Sequence, residues 1–363
     1  MRVILLSDVN SAHTQKWAVQ LSRHQIEVGI FSFSYPKNDW YKNYSNIHLL
    51  YSANLSNANS IFTKLNYITH LKALKKIIST FRPDVLHAHY ASSYGLLGAL
   101  SKFHPFVISV WGSDVFDFPQ QNIFNKMILK YNLKCADKIT STSHIMAKQT
   151  NRFTNKEIKV IPFGIDLNIF QPIHTKKIFK NNEIVIGTIK TLSYTYGIDT
   201  LIKAFSILKN KLPQLNLKLL IVGDGDEKEK LQSLANKLNI KKDTIFYGQI
   251  PHQKVVELLA EIDIFVALSR EESFGVAIVE AMACEKPVVA GNASGFKEII
   301  EDKKTGLIVE KENPSQAADA IQFLIENPEF AKQLTINAKQ KVFNDYNIED
   351  NVKEMIEVYK SLL

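Results

Sequence analysis

Short apolar segments of strand length alternate with stretches of helical length along the whole chain, and they do so in two series. The first series runs RVILLS, EVGIFSF, DVLHAH, FVISVWG and KITSTS; the second runs EIVIGTI, LKLLIVG, TIFYG, DIFVAL, PVVAG and GLIVE. Parallel strands need crossover connections of about this length, so the pattern predicts α/β architecture, with parallel sheets covered by helices on both faces. Between the series lies KVIPFGIDLNIFQPIHTKK, where Pro162, Gly164, Asp166 and Pro172 act as turn and breaker signals and helical periodicity stops. The chain therefore reads as two domains, 1–165 and 166–344, and its 363 residues suffice for a core in each.

The loop after DIFVAL says most about chemistry. It opens the segment SREESFGVAIVEAMACEKPVVAGNASG, Ser269 to Gly295, a strand-loop-helix-strand unit. Its loop leaves the carboxyl end of a parallel strand, where open α/β sheets bind ligands. Glu272 and Glu280 stand eight residues apart around a Ser-Phe-Gly turn. A helix starting near Phe274 would leave its first amides without internal partners, and its dipole would favour a phosphate there. Glu272 would accept hydrogen bonds from ligand hydroxyls, with Glu280 roughly 9 Å further along the axis. Two acceptors flanking an anion site suit a polyhydroxylated phosphate ester. The alternative makes Glu272 a capping charge and Glu280 a solvated helix residue. Solvation fits Glu280 poorly, because Val276, Ala277, Ile278, Val279, Ala281, Met282 and Ala283 surround it in sequence.

Charge is unevenly distributed. Residues 1–170 hold 19 Lys and Arg against 9 Asp and Glu, leaving 25 against 27 for the rest of the chain. The excess points to an anionic partner for the first half, either a membrane surface or an acidic acceptor. In FTKLNYITHLKALKKIIST, Leu65, Ile68, Leu71, Leu74 and Ile78 recur at helical spacing, with Lys64, Lys72, Lys75 and Lys76 largely off that stripe. In NIFNKMILKYNLKCADK, Lys126, Lys130 and Lys134 share one helical face. Basic amphipathic helices can lie on anionic lipid; equally, such stripes pack on the protein's own sheet while lysines solvate the outside. No zinc-finger spacing, helix-turn-helix signature or aromatic RNA-binding motif appears, so nucleic acid is not an expected partner. Cys135 and Cys284 lack metal-ligand spacing, which suits a reducing compartment. MRVILLSD is too short for a signal-peptide core and no apolar run is long enough to span a bilayer. A cytoplasmic protein is the resulting expectation, with peripheral association on the inner face of the cell membrane as one of the two readings of the basic helices.

The Ser269–Gly295 segment resembles the signature of the retaining GT-B glycosyltransferases of family four, the glycosyl transferases group 1. That signature is a Glu, seven residues and a second Glu, followed by Ala-Met-Ala and Pro-Val-Val. The resemblance runs along nearly the whole chain. It implies two doubly wound Rossmann-like domains facing across a cleft, with an N-terminal acceptor domain and a C-terminal nucleotide-sugar donor domain. A final helix, residues 345–363, would cross back onto the first domain. Glu272 would contact the donor sugar, Glu280 the ribose, the backbone of Ser273, Phe274, Gly275 and Val276 the sugar and diphosphate, and the backbone of Gln249 and Ile250 the base. The family usually places two cations before Gly197. Here Lys190 is the only cation in that loop, with Thr195 and Tyr196 where the second is expected, so Lys190 is the leading phosphate ligand. Arg270 could also turn inward as a donor-binding residue.

In the first domain His89 matches the second His of the family's Asp-Val-x-x-x-His motif, while WGSD carries Trp111 where a His often stands. His87 and His89 are expected to face opposite ways. The loop after the first strand has Ser11, Ala12 and His13 where many relatives carry a Gly-Gly pair. Ser11 and Ala12 would offer backbone amides and His13 would face the acceptor. Gly223 and Gly225 read as a structural turn, since Asp224 and Asp226 would repel a diphosphate. The implied activity is retaining, metal-independent sugar transfer from a nucleotide diphosphate sugar, with UDP favoured, to a glycan or lipid-linked acceptor of a bacterial surface polysaccharide, lipopolysaccharide or glycolipid. No cofactor is implied. A nucleotide-sugar epimerase of the same shape and a sugar-binding protein are the competing readings.

Overall fold

The computed structural model describes residues 1–55, 67–173 and 178–363. Lys64 and Leu65 of the first basic segment lie outside the described residues. Two compact units are present, one formed by Met1–Phe163 with Ile348–Leu363 and the other by Gly164–Asn347.

The first unit contains β1 (Arg2–Leu6), β2 (Glu27–Ser32), β3 (Ile47–Ser52), β4 (Val85–His89), β5 (Phe106–Val110), β6 (Lys138–Ser141) and β7 (Ile158–Val160). They pair in the order β3-β2-β1-β4-β5-β6-β7, and every neighbouring pair is parallel. The second contains β8 (Ile184–Ile189), β9 (Leu217–Val222), β10 (Thr244–Gly248), β11 (Ile264–Ala267), β12 (Val288–Gly291) and β13 (Leu307–Val309). Their order is β10-β9-β8-β11-β12-β13, again all parallel. Strand order reverses between β1 and β4 in one sheet and between β8 and β11 in the other. Open α/β sheets bind ligands outside the carboxyl ends of strands at such reversals.

Burial explains why the central strands were legible. Val3 to Leu6 of β1 are all fully buried, as a parallel strand covered on both faces requires. On one face, Trp17 and Leu21 from helix Ala12–Arg23 pack with Val352 and Met355 from helix Ile348–Lys360. On the other, Leu74, Leu97, Leu129 and Leu133 come from helices Leu71–Phe81, Ser93–Ser101 and Ile123–Cys135. The last helix therefore completes the core of the first unit. Its buried Tyr359 hydroxyl lies 2.6 Å from His87 Nδ1 on β4.

Two strands were not expected. β3 is fully buried at Ile47 alone and β7 exposes Lys159, because both are edge strands covered only in part. An edge strand does not need the continuous apolar run that marks a central one. β7 also overlaps the start of the segment whose prolines and glycine suggest a break.

Candidate functional site

The two strand-order reversals carry the residues singled out by the sequence. In the second unit β8 hands on to Lys190, and β11 hands on to the loop containing Ser269, Arg270 and Glu272. The strands are parallel neighbours, so both loops leave the same end of the sheet. Lys190 Nζ lies 2.6 Å from Glu272 Oε2, and the two side chains are 21% and 12% exposed. The Tyr196 ring lies 4.2 Å from the same ammonium, and Ser269 Oγ is 3.5 Å from the same carboxylate oxygen. Gly197 makes this approach possible. It has a φ of +62°, and a Cβ there would stand 2.0 Å from the Leu268 carbonyl oxygen, so only glycine lets the two loops close on each other.

The helix after Glu272 is Val276–Ala283, starting two residues later than the sequence suggested. Phe274 is buried edge-on against Tyr346, 5.6 Å between ring centres. The turn is made instead at Gly275, the N-cap, with φ +113°. Amides of the first turn, at Val276 and Ala277, have no intrahelical acceptor. Gly275 and Ala277 line a small recess together with Thr188, Lys190, Tyr196 and Ser269. A helix amino terminus borders this recess and favours an anion there, joined by the Lys190 ammonium once a ligand draws it from Glu272. Ser273 sits on the connecting turn, where the Glu272 carbonyl accepts from the Gly295 amide at 2.9 Å.

Glu280 is 4% exposed, which removes the solvated reading. Its Oε1 lies 2.8 Å from His252 Nε2, and the imidazole packs near Phe170 with ring centres 5.5 Å apart. His252 was passed over in the sequence. It follows Gln249 and Ile250 on the loop leaving β10, so one short segment joins the expected base-contacting backbone to the buried carboxylate. The available signal was a lone histidine four residues beyond a strand's carboxyl end.

Arg270 is committed to contacts with neighbouring segments of the second unit. Its terminal nitrogens pair with both oxygens of Asp199 at 2.9 and 3.0 Å, its Nε with Glu312 at 2.8 Å, and one nitrogen donates to the Tyr194 carbonyl at 2.6 Å. The guanidinium also lies 3.9 Å from the centre of the Tyr194 ring. Burial acts to raise the Asp199 pKa, but hydrogen bonds from Arg270 and Lys203 outweigh it and hold the carboxyl below its usual value. These contacts bolt residues 194–199 to the β11 loop. The Gly223 turn is structural as read: its φ is +140°, and a Cβ would meet the Lys190 carbonyl oxygen at 2.0 Å.

In the first unit, β1 and β4 flank the reversal, and His89 Nδ1 lies 3.0 Å from Ser7 Oγ just past β1. The two histidines do not face opposite ways. Residues two apart on a strand share a face, and the His87 and His89 rings meet edge to face with centres 4.6 Å apart. His87 Nε2 also reaches Ser109 Oγ at 2.7 Å. Burial pushes the His87 pKa down to about 3 and that of His89 well below its ordinary value, so both are neutral near pH 7. Ser11 is the N-cap of helix Ala12–Arg23, which Ala12 begins. His13 stacks on Phe163 at 3.9 Å and lies 5.7 Å from Trp111, while His89 lies 4.5 Å from Trp111. His13, His89 and Trp111 thus form one aromatic cluster at the carboxyl ends of β1, β4 and β5. Asp114 of WGSD is fully buried and accepts from the amides of Ala91, Trp111 and Gly112, joining the β4 and β5 loops. Burial raises its pKa against those hydrogen bonds.

Among the described residues no group of three His, Cys, Asp or Glu side chains is placed to hold a metal ion. No described helix is long and apolar enough to cross a membrane.

Comparison with known proteins places these features in context. The family model described as glycosyl transferases group 1 matches residues 170–341, and that described as glycosyl transferase 4-like matches residues 2–143. The N-acetyl-alpha-D-glucosaminyl L-malate synthase of Bacillus anthracis is 26% identical over 292 residues, covering 77% of this chain and 75% of that protein. Sucrose-phosphate synthase from Thermosynechococcus elongatus shares the fold with a TM-score of 0.84 and 20% identity, covering 100% of this chain and 99% of that one. Anabaena HepE, solved with UDP and glucose, superposes with a TM-score of 0.78 and 19% identity over 100% of both chains.

Proposed function

This chain belongs to the group 1 glycosyltransferases, and on that premise we propose that the loops after β8 and β11 bind a nucleotide diphosphate sugar, with UDP as the nucleotide. The Lys190–Glu272 pair beside the Val276–Ala283 amino terminus is the observation that carries the reading. An ammonium and unpartnered first-turn amides fit a diphosphate, and a neighbouring carboxylate fits sugar hydroxyls. Glu280 takes the ribose, with Gln249 and Ile250 lining the base. The solved complexes of HepE favour UDP, since that neighbour was crystallised with it.

Transfer proceeds with retention at the anomeric carbon. The bond from that carbon to the leaving phosphate oxygen breaks, and the acceptor hydroxyl oxygen bonds to it on the same face. The acceptor proton passes to a phosphate oxygen of the departing nucleotide. Lys190 and the helix amides stabilise charge growing on that phosphate, a preorganised electrostatic contribution of the kind that usually dominates catalysis. Glu272 orients the sugar. Lys190 must leave Glu272 in part when phosphate binds, which frees the carboxylate for hydroxyls. No metal or cofactor has a role in this scheme. His89 serves the first unit as a neutral hydrogen-bonding ring in one cluster with Trp111 and His13, and Ser11 and Ala12 offer backbone amides at the start of the adjoining helix. The acceptor is a glycan or lipid-linked glycan of the bacterial surface, a reading that rests on family likeness.

A thermal-shift screen of UDP, GDP, ADP and their sugar conjugates tests the donor. UDP should raise the melting temperature most. Stabilisation by GDP or ADP alone would transfer the site to another nucleotide. Product anomers read by NMR test retention, and an inverted product would overturn it.

A further inference from the structure

Helix Ile123–Cys135 covers its own sheet with one face and leaves a second apolar face uncovered. Asn125, Leu129, Asn132 and Leu133 are buried. Ile123, Phe124, Met127 and Tyr131 are 62%, 64%, 60% and 42% exposed. At about 100° per residue these four project along one side of the helix; Lys126 and Lys130 project along the flank between them and the buried side, and Lys134 lies at the edge of the apolar side itself. A helix needing only its inner face for folding has no use for an exposed phenylalanine, methionine and isoleucine within one turn and a half. Contiguous exposed apolar side chains rimmed by polar ones mark an interaction surface.

Charge identifies the occupant. From residue 40 to residue 136 the chain carries ten Lys and Arg against three acids, Asp84, Asp114 and Asp117. Asp114 is buried among backbone amides and Asp84 accepts from the Arg2 amide at 2.7 Å, so neither offsets the outer face. No acidic residue lies between Asp117 and Asp137, the stretch that forms this helix. Helix Ser93–Ser101 packs between it and helix Leu71–Phe81, which exposes Lys72, Lys75 and Lys76 on the same layer. Lys156 adds a further cation, its Nζ lying 2.7 Å from the Lys134 carbonyl oxygen. A second copy of the chain fits badly, because an isologous contact would set the three helix lysines against one another. A bilayer bearing anionic headgroups fits both features, apolar side chains entering the headgroup–acyl boundary and lysines meeting phosphates.

We propose that the outer face of helix Ile123–Cys135 docks this protein on an anionic membrane surface, with Phe124 and Met127 inserted and Lys126, Lys130 and Lys134 at the headgroups. The proposal does not depend on the donor assignment and is tested without nucleotide or acceptor.

The test is flotation of the full chain with phosphatidylcholine vesicles containing about one-third phosphatidylglycerol, against pure phosphatidylcholine vesicles. Binding should require the anionic lipid at low salt and weaken in high salt. A Phe124→Ser, Met127→Ser double variant and a Lys126→Gln, Lys130→Gln, Lys134→Gln triple variant should each reduce partitioning at least about tenfold, while circular dichroism spectra stay unchanged. In a Phe124→Trp variant the added indole fluorescence should shift to the blue on vesicle addition and be quenched by brominated lipid. No flotation of the folded protein at low salt would overturn the proposal, as would partitioning unaffected by both sets of substitutions. Concentration-dependent dimerisation abolished by the same substitutions, without vesicle binding, would assign the face to a second copy instead.

Discussion

Lys190 and Glu272, 82 positions apart in sequence, meet at 2.6 Å because their strands β8 and β11 are parallel neighbours at a reversal of strand order. The contact joins the expected phosphate cation to the expected sugar acceptor, so each neutralises the other until a ligand separates them. Removing one partner leaves a partly buried charge, whereas removing both does not. In the transfer assay, Lys190→Ala should lower kcat/KM by about 100- to 1,000-fold, the usual cost of losing a group that stabilises developing charge. Glu272→Ala should fall comparably. The double variant should cost less than the two losses multiplied, since contacting residues are non-additive. A strictly multiplicative loss would show that the two act independently.

Glu280 is buried and held by His252 at 2.8 Å. A hydrogen bond to a charged group contributes about 1.5–3 kcal/mol, so Glu280→Ala should weaken UDP binding by about 10- to 100-fold. His252 acts through Glu280 as a positioning residue. His252→Ala should raise the donor KM several-fold with kcat little changed, and His252→Gln should restore part of the loss. Unaltered donor KM in His252→Ala would show that the contact is incidental.

The Arg270 fork on Asp199 is a planar two-point contact that lysine cannot reproduce. Arg270→Lys should therefore lower unfolding stability by about 1–2 kcal/mol in urea titration, while UDP still produces a thermal shift. Loss of the UDP shift with unchanged stability would instead give Arg270 a direct ligand role.

His87 is neutral in the fold, its pKa pushed down to about 3 by burial, against an ordinary value of 6.5. In the unfolded chain it takes up a proton below pH 6.5, which the folded chain does not. Stability is therefore intact above pH 6.5 and declines as pH falls toward 3, by up to about 1.4 kcal/mol per pH unit from this residue. Melting temperatures of His87→Gln should fall less steeply over that window than those of the unsubstituted protein. Parallel curves would contradict the assignment.

Much of the fold was legible because parallel central strands need largely apolar runs; β1, β5, β8, β11 and β12 supply them, and β4 and β9 keep enough apolar residues around His87, His89 and Lys218 to read as strands. The edge strands β3 and β7 escaped notice because partial exposure removes that run. Within the site, Glu272, Glu280 and Lys190 carried local signals of spacing and setting. His252 had only its place just past β10, because its meaning comes from β10 and helix Val276–Ala283 bringing residues 28 positions apart together. Arg270 looked available in sequence, and only the fold shows Asp199 and Glu312 placed around it. The exposed face of helix Ile123–Cys135 was half visible: its lysines could be counted, but which apolar residues stay outside depends on how the helix rolls onto its sheet.

Isothermal calorimetry of UDP with the unsubstituted protein, Lys190→Ala and Glu280→Ala tests the donor site most directly. The unsubstituted protein should bind measurably, and affinity should fall by about tenfold or more in each variant. UDP binding of equal strength in all three proteins would contradict the donor assignment.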